Sequence, residues 1–236
     1  CLRCGVVLES DIIRERLQTG EFSYEIYGVK YEKESGGTDW RAPNESDVQA
    51  HQKAVEKIDS DFKLNTILST ERYIGDEDRA GPYGVTQWRD AFSPRQLVTQ
   101  YEYLEAFRDC KDEIQAEYDD EKSEAILTVL SLVASKVIDR NTRFSPLDTS
   151  NGLLGDALGG KHFTLQWAFV ENNPAAGNQS YQDQLDRVRD SYEDIVRYLE
   201  SSDADKSTLL QGDAADLSLD DESTQAVVID PPYYDS

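Results

Sequence analysis

Val227-Val228-Ile229-Asp230-Pro231-Pro232-Tyr233 decides how this chain is read. From Ala226 to Ile229 the run is apolar at every position, and a strand of that kind is buried on both faces of a parallel sheet. Polar groups at the carboxyl end of such a strand stand where α/β folds place their ligands. The two prolines stiffen the loop that follows. A plain Pro-Pro turn after a strand is the other reading of the same residues. The expected fold class is α/β, with the site at the end of this strand.

Working upstream, Thr208-Leu209-Leu210 before Gly212-Asp213-Ala214 is a second short strand signal, set off by a polar hinge from Ser201 to Lys206. A helix is expected from Tyr181 to Leu199, with Leu185, Val188, Tyr192, Ile195 and Leu199 on its inner face. Phe163 to Val170 reads as a strand that ends at Glu171-Asn172-Asn173-Pro174, either a polar loop beside a site or a strand-terminating turn. Residues 121–139 are apolar on most sides of a helix, which predicts a central place in the core. Ser93-Pro94, a cap and a first-turn proline, opens another helix with Leu97, Tyr101, Leu104 and Phe107 on one face. Arg95 at its start either touches a phosphate or pairs with one of the many carboxylates. Residues 62–90 are irregular. A polar helix is expected to run through about Lys57, preceded by extended segments around Phe22, Tyr24, Ile26 and Tyr27 to Tyr31 before Gly36-Gly37.

The chain has 236 residues, 47 acidic and 24 basic, for a net charge of −23. Tyr at 13 and Trp at 3 make it too aromatic for a disordered acidic tail. The acids are spread along the whole length, as on proteins of a salt-loaded cytoplasm, and at molar salt a Debye length of about 3 Å screens repulsion from DNA. Charge therefore neither supports nor excludes a nucleic-acid partner. An ordinary acidic interaction protein is the other reading. No apolar run approaches the ~20 residues needed to span a bilayer, so a cytoplasmic protein without membrane association is expected. Three cysteines cannot make a disulfide framework, and with no Met at all the chain reads as a fragment of a longer protein.

Asp230-Pro231-Pro232-Tyr233 resembles the catalytic motif of the amino-group DNA methyltransferases, which methylate adenine N6 or cytosine N4. The chemistry suits the residues. An exocyclic amine conjugated to its ring is a poor nucleophile. The Asp230 carboxylate and a proline carbonyl, that of Pro231, would hydrogen-bond both amine protons and steer the nitrogen. Tyr233 would stack on a base taken out of the duplex. Gly212-Asp213-Ala214 resembles the turn of that family whose acid binds the adenine amine of S-adenosylmethionine. Asp213 would take that role, with a backbone contact from Ala214; a turn-forming Asp is the competitor. Cys1-x-x-Cys4-Gly5 resembles one knuckle of a zinc ribbon, two of the four thiolates a structural zinc needs.

The order of these pieces, with Ile12-Ile13-Arg14, Trp40-Arg41-Ala42-Pro43, Phe92-Ser93-Pro94-Arg95-Gln96-Leu97 and Trp167-Ala168-Phe169-Val170-Glu171-Asn172-Asn173-Pro174, resembles the zinc-ribbon-containing adenine-specific DNA methylases with a DUF1156 domain, in a haloarchaeal version. The resemblance implies an incomplete class I, Rossmann-like methyltransferase fold. Residues 1–40 would be a partial zinc-ribbon region, 41–162 a mostly helical insertion, and 163–236 part of the α/β core. It implies S-adenosylmethionine and a structural zinc as cofactors. DNA, and other proteins of a modification or defence system, would be the partners. The family's Phe-x-Gly-x-Gly cofactor motif is absent, so these residues by themselves are expected to be inactive. Two other classes compete. Cys1 to Glu9 also resembles the second knuckle of archaeal initiation factors of the B type, although their cyclin-like repeats are not visible. An acidic adaptor without catalysis would leave the tetrad a coincidence.

Overall fold

The computed structural model describes residues 5–61, 64, 80–150, 152–157, 165–166, 168–201, 211–213, 215–217, 219–220 and 222–229. The chain divides into two units, Cys1–Arg189 and Asp190–Ser236. The described residues combine helices with two small antiparallel sheets.

In the first unit, α1 (Ser10–Gln18) is followed by a hairpin of β1 (Val29–Glu32) and β2 (Thr38–Arg41), in which Val29 faces Arg41 and Glu32 faces Thr38. Gly36 and Gly37, at φ of 87° and 77°, make the turn that returns Gly37 O to the Lys33 amide at 2.9 Å. A left-handed backbone at two successive residues is what glycine supplies cheaply.

The hairpin leads into α2 (Glu45–Ser60), and a reciprocal cap fixes the joint. Asn44 Oδ1 accepts from the Asp47 amide at 3.2 Å while Asp47 Oδ2 accepts from the Asn44 amide at 2.8 Å. Arg41 closes it from the strand side, its Nη1 and Nη2 donating to the two Asp47 oxygens at 2.6 and 3.0 Å. The Arg41 guanidinium, helped by the Asn44 amide, holds the Asp47 carboxyl at about 2, against an ordinary 3.8. A depressed carboxylate contributes stability above its unfolded value and loses it as the pH falls through the folded one. The joint should therefore be fully formed above about pH 4 and weaken between about 4 and 2. Carboxyl carbon NMR of Asp47 should follow that window, and Arg41→Ala should return its midpoint toward the ordinary value. An unmoved midpoint would mean that Arg41 does not hold Asp47.

Two short 3-10 turns, Gly81–Tyr83 and Trp88–Ala91, lead to α3 (Pro94–Glu117) and α4 (Asp120–Arg140). The Ser93 cap and first-turn Pro94 stand where the sequence puts them. Helix α2 packs on α3, and α3 on α4. Ile58, Leu64, Leu97 and Tyr101 form one apolar cluster. Ala80, Val85, Ala91, Phe144 and Ala157 form another, and Phe92 packs against both. A two-residue pair, β3 (Leu147–Asp148) with β4 (Leu153–Leu154), precedes α5 (Tyr181–Glu200), which starts in the first unit.

Several expectations need correction. Helix α4 is not central: of its apolar side chains only Val133 and Val137 are buried, and Leu132 is 53% exposed. It docks on α3 along one face, and the rest of its surface carries Ser131, Ser135 and Glu124 among the aliphatic residues. On α5, Leu185 and Val188 are half-buried, but Tyr192, Ile195 and Leu199 are exposed. The described part of the expected strand 163–170 is irregular. Its groups are engaged elsewhere, the Gln166 amide donating to Arg143 O at 3.0 Å and the Phe169 ring meeting Tyr24 edge-on. Residues 226–229 form no ladder among the described residues, and Val227, Val228 and Ile229 are 71, 97 and 74% exposed. An apolar strand is buried only where neighbouring strands supply its hydrogen bonds, and no parallel pair occurs among the described residues. The class I methyltransferase arrangement is thus absent from what is described; the observed sheets are local hairpins.

Candidate functional site

Two of the quoted blocks, Phe92 to Leu97 and Glu171 to Pro174, meet in a buried polar network. Its centre is Gln96, 1% exposed, one turn into α3 beside the cap. Gln96 Oε1 accepts from the Ser93 amide at 2.9 Å, and Nε2 donates to Asn141 Oδ1 at 3.2 Å. The same Asn141 oxygen accepts from the Asn172 amide at 3.1 Å. Asn172 Nδ2 in turn donates to the carbonyls of Asn178 and Gln179, at 3.2 and 3.0 Å. Gln179, in the left-handed region at φ 62°, exchanges both its amide groups with the backbone of Leu154. A buried amide that satisfies donor and acceptor in this way fixes loops that contribute no ladder of their own.

Glu171 closes the network on its outer side. Its carboxylate takes the Ser93 hydroxyl on one oxygen and the Arg95 guanidinium on the other. Arg95 therefore pairs with a carboxylate, and the Glu171-Asn172-Asn173-Pro174 segment ties α3 to the end of α4 and the start of α5. Asn173 makes a local turn, its Oδ1 accepting from the Ala175 amide at 3.1 Å. Beside it, Tyr181 stacks on Tyr103 with ring centroids 4.1 Å apart and donates its hydroxyl to Gln100 Oε1 at 3.0 Å. Burial pushes the Tyr181 phenol far above its ordinary value. Reading the residues one by one missed Asn141, whose only signal was its place at the end of an apolar helix.

A second feature lies between α2 and α3. Lys53 and Lys57 stand on one face of α2 with Ala50 and Ala54, and Arg95 stands on α3 with Val98 and Thr99. Together they line a groove of about 320 Å³. Three of its seven side chains are cations and none is an acid, in a chain with about two acids for every base.

Of the residues expected to carry chemistry, Asp213 is described, in the second unit. It is exposed and holds a tight turn, its Oδ1 accepting from the Ala215 amide at 2.9 Å and its carbonyl from the Asp216 amide at 3.0 Å. Ala214, Asp230, Pro231, Pro232 and Tyr233, with Cys1 and Cys4, lie outside the described residues. Two thiolates are half a tetrahedral zinc shell, and no group of three or more His, Cys, Asp or Glu capable of holding a metal occurs among the described residues. Nor do the described residues form a cradle for S-adenosylmethionine, since Asp213 is exposed and its carboxylate is engaged in its own turn. Neither group is complete on these residues. Among the described residues no helix is long and apolar enough to cross a membrane. Comparison with protein-family models, with curated proteins and with solved structures found no match.

Proposed function

We propose that the chain is part of an S-adenosylmethionine-dependent DNA methyltransferase acting on an exocyclic amine, adenine N6 in the first place and cytosine N4 as the related target. The observation that carries this reading is Val227 to Tyr233, an apolar run delivering Asp-Pro-Pro-Tyr. Asp230 and the Pro231 carbonyl accept the two amine protons, Pro232 stiffens the loop, and Tyr233 stacks on the extruded base. The reading assigns Val227–Ile229 to a parallel strand of a class I core, which would bury three β-branched side chains now exposed. In this reading Asp213, exposed on its turn, would take the cofactor's adenine amine, with a backbone contact from Ala214. Cys1 and Cys4 supply half of a zinc ribbon. A cytoplasmic modification or defence system is the setting that suits such an enzyme.

The test is transfer of a labelled methyl group to DNA by the intact protein that carries this chain. Methylation of adenine N6 or cytosine N4 supports the reading, and no transfer to any DNA overturns it. Within that assay Tyr233→Ala should weaken capture of the base by roughly 1–3 kcal/mol, the worth of stacking in single-strand binding. A change in turnover with no change in DNA affinity would remove Tyr233 from the base site.

A further inference from the structure

We propose that the groove between α2 and α3 is an anion site that takes phosphates of a nucleic-acid backbone, with Lys53, Lys57 and Arg95 as its contacts. The methyltransferase reading supplies only the choice of DNA as the nucleic acid; the anion site itself stands on geometry. On α2, Ala50, Lys53, Ala54 and Lys57 fall at i, i+3, i+4 and i+7, one face of the helix. On α3, Arg95, Val98 and Thr99 repeat the spacing. The small side chains keep the groove open, and the long basic ones border it. Thr99 spends its hydroxyl on Arg95 O at 2.8 Å, so the recognition left to the groove is charge rather than neutral hydrogen bonding.

Two of the three cations are already paired. Lys57 is paired with Glu102 and lies 5.8 Å from the centre of the Tyr101 ring, while Arg95 is paired with Glu171. Neither carboxylate lines the groove. Such pairs cost some net charge, but they fix the side chains, so a phosphate meets cations already ordered. Lys53 is exposed and makes the clearest probe. On a chain of charge −23, a groove with no acid among its lining residues, where Lys53 adds one positive charge to two balanced pairs, is where a polyanion can approach with less repulsion than elsewhere.

The experiment measures fluorescence anisotropy of a labelled 20-base-pair duplex with this chain over a KCl series, with inorganic phosphate as competitor and folding followed by circular dichroism. Lys53→Glu should weaken binding about tenfold, uniformly across sequences, and lower the slope of log K against log salt by about 1. Lys57→Gln should act in the same direction, with less effect. Unchanged affinity in a folded Lys53→Glu, or no duplex binding at any KCl concentration, overturns the proposal. Displacement of the duplex by inorganic phosphate at equal concentration would overturn the nucleic-acid assignment and leave a small-anion site. Failure of the two readings is separable. DNA bound through Lys53 without methyl transfer in the intact protein would refute the methyltransferase alone. Methylation with an unchanged KM for DNA in Lys53→Glu would refute the groove alone.

Discussion

Asp230→Ala in the intact protein should lower methyl transfer to DNA by about 10²–10³, the usual cost of one preorganised contact to a reacting group. The amine of adenine or cytosine is conjugated with its ring, and its nitrogen becomes a competent nucleophile only when both protons are drawn toward acceptors. Removing the carboxylate leaves the Pro231 carbonyl with one proton and the other without a partner, so the nitrogen loses its aim as well as its electron density. Asp230→Asn keeps one oxygen and should retain more activity than the alanine variant. DNA affinity and folding should stay close to those of the parent, because the methyltransferase reading puts the side chain on a loop beyond the strand. Full activity in Asp230→Ala would end the methyltransferase reading of the tetrad.

The second large effect is on stability. Asn141→Ala should cost about 2–3 kcal/mol in chemical denaturation, because it strands one buried donor, worth about 1–3 kcal/mol when unpaired, and one half-buried donor worth less. Those donors are Gln96 Nε2 and the Asn172 amide. Asn141 is 2% exposed and Gln96 1%, so water reaches neither without opening the joint. Asn173→Ala, on the exposed turn next door, removes one local bond and should cost less than about 1 kcal/mol. If the two variants unfold at the same denaturant concentration, the buried network does not hold the loops.

The particulars show how far the residues could be read in advance. Ser93-Pro94 announced α3, and the double glycine at 36 and 37 announced a turn, because capping and positive φ are settled by a few neighbouring atoms. Arg95 could be assigned to a carboxylate but not to Glu171, 76 residues away, since 47 acids offered themselves. Helix α4 was placed correctly along the chain and wrongly in depth. Aliphatic content says how much surface prefers to be covered, not whether a neighbour is there to cover it. The same reasoning misplaced 163–170, and it leaves Val227–Ile229 exposed where burial was expected. The groove cations were invisible individually. Lys53, Lys57 and Arg95 become a group only when α2 lies against α3.

The ties at the centre of the first unit are mostly neutral amides: Gln96, Asn141, Asn172 and Gln179 carry no net charge. Ionic strength acts strongly on exposed charges and weakly on buried dipoles. Added salt thus relieves the mutual repulsion of the acidic exterior while leaving the carboxamide ties between α3, α4 and α5 nearly unchanged, and it weakens only the Arg95–Glu171 pair on the outer side of that joint. A scaffold fastened by ion pairs would trade one effect against the other and pass through an optimum. One fastened in its interior by carboxamides meets that loss only at its partly exposed pairs, and its folded state should gain from salt while the repulsion is being screened.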